Sequence, residues 1–270
     1  MSSPVCAIDL LRIRYDLPSK KTTDAVAVEE PLEIRVAGRS VAVTMRTPGH
    51  DHELAAGFLV TEGIVRSRDD VFDIHRCGDG RRKPEENILN VRLARGVKVD
   101  FRRLTRHVFA SSSCGICGKA TIDSVRGRFP RIRSRWKVSR RALYDLPGRL
   151  REAQVTFEKT GGLHASALFD AAGGLRVVRE DVGRHNAVDK VVGWAFFENR
   201  LPLRDAILQV SGRVSFEILQ KALAAGIPVV AAISAPSSLA VQFARESGQT
   251  LVGFLRGKQM NVYAHPERIG

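Results

Sequence analysis

Cysteine is scarce in this chain: four residues in 270, at positions 6, 77, 114 and 117. Two of them stand alone, so the chain has no disulfide framework of the kind that staples small secreted domains. Apolar runs are short too, and none approaches the roughly 20 residues a membrane helix needs. The N-terminus lacks the basic start, apolar middle and small-residue cleavage site of a secretory leader. A cytoplasmic location is therefore expected, where reducing conditions keep thiols available. No repeat or low-complexity tract appears. Acidic residues are outnumbered, 29 Asp+Glu against 43 Lys+Arg, for a net charge of +14. Such an excess points to an anionic ligand or partner, or else to arginine spread over the surface without a task. The remaining composition, 44% hydrophobic and 27% charged, is that of a globular protein of one large or two modest domains.

Residues 5–14 read as an edge strand, followed by a polar turn from Pro18 to Asp24. Glu33 to Arg46 alternates around Gly38 and predicts a β-hairpin. The Pro48-Gly49 turn and an acidic cluster then start a helix over 51–62, with Gly63 as its C-terminal cap. His50 and His52 beside acids read either as metal ligands or as solvated side chains at a helix start. Strands are expected over 68–76 and 87–101, separated by a charged loop from Gly78 to Glu86.

The stretch with evident covalent chemistry is Ser111-Ser112-Ser113-Cys114-Gly115-Ile116-Cys117-Gly118-Lys119. A Cys-x-x-Cys alone is half a zinc site, a redox pair or a sulfur-handling nucleophile. A short helix from Lys119 to Arg126 would set both thiols near a helix N-terminus, which favours thiolate. From Arg131 to Val138, basic and other residues alternate. On a strand, Arg131, Arg133, Arg135 and Lys137 share one face, a grip for nucleic acid or polyphosphate or simply a solvated edge.

From Ser139 onward helices and strands alternate. Ser139 caps a helix that Pro147 interrupts or restarts, ending near Lys159; a strand pair follows at 161–179. Helices at 184–197, 216–225 and 237–247 alternate with strands at 206–210, 228–233, 250–255 and 259–264, a layered α/β sheet. Ligands collect where such strands end, and four junctions are polar: 180–186, 211–215, 234–238 and 256–258. Backbone amides and hydroxyls at Arg213/Ser215 and Ser237/Ser238 suit phosphate, although a cap serine is often only a cap. With Arg184 and Arg256 nearby in sequence, these junctions point to an anionic, nucleotide-like ligand.

Five motifs occur in order: Ser-Cys-Gly-Ile-Cys-Gly at 113–118, Thr-Gly-Gly-Leu-His-Ala at 160–165, Glu-Asp-Val-Gly-Arg-His-Asn-Ala-Val-Asp-Lys at 180–190, Ser-Gly-Arg-Val-Ser-Phe-Glu at 211–217 and Ser-Ala-Pro-Ser-Ser-Leu-Ala at 234–240. Together with Glu53 to Gly63, the set resembles the formate dehydrogenase accessory sulfurtransferase family, FdhD. The resemblance implies a cytoplasmic homodimer that takes persulfide sulfur from a cysteine desulfurase. It passes that sulfur to the molybdenum or tungsten bis-molybdopterin guanine dinucleotide cofactor, bound as substrate, before insertion into formate dehydrogenase. The same resemblance makes Cys114 and Cys117 the catalytic pair on a mobile loop, and Phe254, Leu255, Arg256, Gly257, Lys258 and Gln259 a cofactor-contact segment. It also gives the C-terminal half a cytidine-deaminase-like fold. The implied organisation is a mainly β domain with one helix over 1–105, the cysteine loop and basic linker over 106–138, and the deaminase-like α/β domain over 139–270.

Zinc deaminases need His-x-Glu at a helix start and Pro-Cys-x-x-Cys at the next junction. Here those places read His185-Asn186-Ala187 and Ser211-Gly212-Arg213-Val214-Ser215, without the Glu or the cysteines, so no intrinsic metal is expected. Arg213, Ser215, Ser237, Ser238 and His185 are then candidate cofactor contacts. Cys114 is assigned as persulfide carrier with Cys117 as its partner, although the order is reversible. His164 and His185 are candidate proton handlers or structural histidines. Three competing functions remain: a thiol-disulfide oxidoreductase, a zinc knuckle, which lacks two further ligands at suitable spacing, and a non-catalytic chaperone of the anionic cofactor. No membrane partner is expected, and nucleic acid ranks below the cofactor.

Overall fold

The computed structural model describes residues 3–76, 87–101 and 128–270. The charged loop expected at 78–86, the Cys114/Cys117 stretch and the helix expected at 119–126 lie outside the described residues. The chain begins with β1 (Val5–Arg14) and β2 (Leu17–Ala27), an antiparallel two-stranded ribbon. β2 overturns the turn expected at 18–24. Its Lys20-Lys21-Thr22-Thr23 core is solvated on both faces, so the alternation that marks a half-buried strand is absent.

β3 (Glu30–Val36) and β4 (Arg39–Arg46) form the expected hairpin. Both turn residues have positive φ, Ala37 at 49° and Gly38 at 79°, matching the primed turns whose twist suits a two-residue hairpin. β5 (Val71–Arg76) and β6 (Ile88–Leu93) complete a sheet of order β4-β3-β6-β5. Pairing ends at Leu93, short of the expected 101. The helix at 51–62 is present as α1 (Asp51–Thr61), with Gly63 left-handed just beyond its end.

The second half contains α2 (Arg140–Ala153) and α3 (Val155–Thr160), then β7 (His164–Phe169), β8 (Leu175–Asp181) and α4 (Arg184–Phe197). It closes with β9 (Ile207–Val210), α5 (Phe216–Ala224), β10 (Val229–Ala232), α6 (Ser238–Ser247), β11 (Thr250–Arg256) and β12 (Gln259–Ala264). Pro147 does not interrupt α2; the break falls at Gln154, which is buried with a non-helical ψ of 69°. Residues 131–137 form no helix and pair into no sheet, and their exposure alternates residue by residue. The six-stranded sheet has the order β12-β11-β10-β9-β7-β8, with β9, β10 and β11 parallel and β7 antiparallel to both neighbours. This is the mixed, layered α/β sheet of the sequence reading. α2 covers one face over Val138, Leu143, Phe169, Ile207 and Val252, while α4, α5 and α6 cover the other.

One apolar cluster runs from Leu32, Ile34 and Leu89 of the small sheet through Leu54 and Leu59 of α1 to Val188, Leu219 and Val230. Each such side chain, fully buried, contributes roughly 1.5–3 kcal/mol. α1 and α4 cross at glycines. A Cβ on Gly57 would stand 1.7 Å from the Asp189 carbonyl oxygen, and one on Gly193 1.8 Å from that of Glu53. Beside the crossing, buried Asp189 accepts from Lys221 Nζ at 2.8 and 2.9 Å and from Thr61 Oγ1 at 2.8 Å. Burial pushes the Asp189 carboxyl up, and the Lys221 charge opposes that rise.

Candidate functional site

The ends of β8, β9, β10 and β11 and the start of β7 lie on one edge of the large sheet, which is where an open α/β sheet collects ligands. Backbone bonds lash the junctions together. Val214 N donates to Ala235 O at 3.2 Å, Ser237 N to Val214 O at 2.9 Å, and Phe254 N to Ser234 O at 3.1 Å. On the other flank Ala165 N donates to Ser211 Oγ at 2.9 Å. The fit depends on Gly253, where a Cβ would meet Pro236 Cδ at 2.9 Å. The next residue, Phe254, has φ of 51°, a left-handed conformation that is costly outside glycine, and its ring lies 5.6 Å from the Arg256 guanidinium.

A buried polar knot fixes the start of α4. Asp181 is fully buried; its Oδ1 accepts from Gly183 N at 2.8 Å and Asn186 Nδ2 at 3.0 Å. Its Oδ2 meets Lys190 Nζ at 2.7 Å and Thr47 N at 3.2 Å. Lys190 also donates to Thr47 O at 2.9 Å, and Asn186 to Met45 O at 2.7 Å. The end of β4 and the chain after it are thus part of the scaffold that aims His185.

His185 Nε2 lies 3.3 Å from Ser215 Oγ and 3.4 Å from Glu217 Oε2, and Ser215 Oγ donates to Glu217 at 2.8 Å. The bond to His185, with those to Ser215 and the backbone, overcomes partial burial and holds the Glu217 carboxyl at about 2. His164 begins β7 beside Gly212, where a Cβ would approach its Nδ1 to 3.3 Å. Burial first, then the charges of Arg184, His185 and Arg213, push the His164 imidazole below its ordinary range against the pull of Asp181. The site therefore holds one imidazole whose surroundings disfavour its charged form, and another held against a carboxylate. Arg184 and Arg213 have no hydrogen-bond or ion-pair partner among the described residues, which leaves both guanidiniums available to an anion.

Of the residues singled out from sequence, the structure joins His185 to Ser215 and ties 214 to 235–237 and 254 to 234. Ser237 is a helix cap, its Oγ accepting from Ala240 N at 3.2 Å, while Ser238 is exposed. Leu255 is buried in the sheet, whereas Arg256, Gly257, Lys258 and Gln259 form the exposed β11–β12 turn, with Gly257 at φ 59°. Cys114 and Cys117 lie outside the described residues. His50 is exposed 3.5 Å from Glu53, whose carboxylate is held by Arg179 at 2.5 and 2.7 Å. No group of three metal-ligating side chains occurs among the described residues. Sequence reasoning missed Glu217, although its place two residues after Ser215 at a helix start was a usable signal. It also missed the Asp181–Lys190 pair, because nine positions apart is no local spacing.

Residues 27–270 match the model of the FdhD/NarQ family. A sulfur carrier protein FdhD of Mycolicibacterium paratuberculosis is 55% identical over 253 residues, 92% of each chain. One from Saccharolobus solfataricus is 45% identical over 272 residues and the full length of both chains. A crystal structure of a formate dehydrogenase accessory protein from Desulfotalea psychrophila shares the fold, with a TM-score of 0.80 at 24% identity over 99% of this chain and 100% of that one.

Proposed function

The chain belongs to the FdhD/NarQ family, and from that premise we propose that it is a sulfur carrier acting as a sulfurtransferase through Cys114 and Cys117. The supporting observation is 55% identity across 92% of both chains to a protein named a sulfur carrier, in a sequence whose one closely spaced thiol pair is Cys114 and Cys117. The donor is the persulfide of a cysteine desulfurase. Cys114 thiolate attacks its outer sulfur; a new S–S bond forms on Cys114, the donor's S–S bond breaks, and the donor cysteine leaves as thiolate. Attack by Cys117 thiolate on Cys114 Sγ then releases the terminal sulfur as hydrosulfide to the acceptor. The resulting Cys114–Cys117 disulfide is reduced by a cellular dithiol.

The acceptor is the molybdenum or tungsten bis-molybdopterin guanine dinucleotide, a substrate, destined for formate dehydrogenase. Arg184 and Arg213 at the sheet edge suit its phosphates, as do the amides at the start of α6. The exposed Arg256 and Lys258 extend that positive wall. His164, kept neutral by burial and neighbouring cations, is suited to take the proton of a thiol as it becomes thiolate. His185, braced by Ser215 and Glu217, orients the bound anion. We place this activity in the cytoplasm, in a homodimer.

Mass spectrometry of the protein after incubation with a desulfurase and L-cysteine tests the proposal. The expected product carries one added sulfur on Cys114 or Cys117, and Cys114→Ala with Cys117→Ala abolishes it. Full formate dehydrogenase activity in cells carrying both substitutions would replace sulfur transfer by a chaperone role. Arg184 and Arg213, which have no partner among the described residues, are the feature that favours this second reading.

A further inference from the structure

Residues 131–137 lie on the surface outside any helix or sheet, and their exposure alternates residue by residue, the period-two pattern of extended chain. Ile132 and Trp136 point inward against the two apolar clusters, and Val138 is buried. Arg131, Arg133, Arg135 and Lys137 are all exposed, and none has a hydrogen-bond or ion-pair partner among the described residues. At about 3.3 Å per residue the four cations form a row roughly 20 Å long. The segment is anchored. Ile132 N donates to Ser247 O at 2.8 Å, Val138 N to Arg268 O at 2.9 Å, and Arg268 Nε to Ser134 O at 3.2 Å. Ile132 O presses so closely on Gly248 that a Cβ there would stand 2.4 Å away.

All of these anchors involve even-numbered residues of the segment. In extended chain the N–H and C=O of one residue point to the same lateral side, and that side alternates along the chain. The backbone groups of Arg133 and Arg135 therefore face away from the body, with no partner among the described residues. A free strand edge thus runs beside a ladder of cations at two-residue spacing. Trp136, the one aromatic of the stretch, is turned into the core and offers no stacking platform of the kind single-stranded nucleic acid uses.

We infer that residues 131–137 dock an extended acidic segment of a partner protein, which adds to the free edge as a strand and sets alternate carboxylates against Arg131, Arg133, Arg135 and Lys137. Main-chain bonds give such an added strand affinity, and opposed charges across the pair set its register. The segment begins 14 residues after Cys117 in the sequence, so a partner held there is linked to the thiols through a short length of the same chain. That the partner gives or takes sulfur rests on the sulfur-carrier reading; the docking does not.

Fluorescence anisotropy on the full-length protein tests it with two fluorescein-labelled peptides of equal composition, one alternating Glu and Thr, the other a Glu block followed by a Thr block. The alternating peptide binds the wild type several-fold tighter than the block peptide. Arg131→Glu with Arg133→Glu and Arg135→Glu weakens it about tenfold or more. Arg12→Glu with Lys20→Glu and Lys21→Glu, the same charge change on the exposed β1–β2 ribbon, leaves it near the wild-type value. Equal losses from both triple variants, or equal binding of both peptides, would show the net charge acting alone and overturn the proposal. Tighter, stripe-dependent binding of a short thymidylate oligonucleotide would overturn it in favour of nucleic acid. A thermal melt confirms folding, and Arg133→Glu alone gives the same reading at smaller amplitude if the triple variant is unstable. Cys114→Ser with Cys117→Ser keeps peptide binding, so failure of sulfur transfer and failure of docking are separately visible.

Discussion

Replacing Glu217 with Gln tests the electrostatics of the sheet edge most directly. The carboxylate accepts from Ser215 at 2.8 Å, lies 3.4 Å from His185, and has a side chain only a quarter exposed. Its pKa is about 2 where 4.5 is ordinary. At about 1.4 kcal/mol per pKa unit the ceiling on its contribution is roughly 3 kcal/mol, and partial solvent screening reduces the expected value to about 1–2 kcal/mol. The sign follows from the depression: the fold favours the charged form, so the contribution is complete above pH 4.5 and fades as the pH falls towards 2. Urea unfolding of wild type and Glu217→Gln should therefore differ by about 1–2 kcal/mol at pH 6 and by clearly less at about pH 3, with unchanged m-values. An equal gap at both pH values would refute the account.

Other perturbations have equally definite outcomes. Gly57→Ala forces α1 away from α4 and should cost about 3 kcal/mol or more in urea unfolding, since its Cβ would overlap the Asp189 carbonyl. Asp181→Asn leaves Lys190 buried without its counter-charge and should cost about 3–5 kcal/mol by the same measurement. On the proposed cofactor reading, guanosine diphosphate binds the wild type in isothermal titration, and Arg184→Ala and Arg213→Ala each weaken it about tenfold, most visibly at low salt, with the melting temperature unchanged.

Legibility in the sequence followed the physics of each element. The β3–β4 hairpin stood out because one face is buried and its residues alternate, whereas β9 and β10 stood out as short, near-continuous apolar runs buried on both faces. β2 did not, because both faces of its Lys20–Thr23 stretch meet water. Pro147 misled in the opposite direction, since α2 continues through it and breaks instead at Gln154. The basic row at 131–137 was read correctly as one exposed face, but its partners are single backbone bonds to Ser247 and Arg268, which no local pattern announces. At the site, His185, Ser215 and the junction at 234–238 were visible as polar breaks between apolar runs. Arg46 was not: its bonds to Glu30 and Asn87 join β4 to β3 and to the chain before β6 across 16 and 41 residues, and only its partner Asp51 at the start of α1 is close in sequence.

The glycine crossing of α1 and α4 has a kinetic consequence. Because the backbones touch at Gly57 and Gly193, and one apolar cluster continues through the contact, neither sheet has a complete core without the other. Amide hydrogens of β3 and of β9 should then exchange through the same global opening event, with matching free energies and one shared response to denaturant. The sheet edge inherits that cooperativity: the α4 turn presenting His185 stays ordered only while the β4 strand, more than a hundred residues earlier, remains folded.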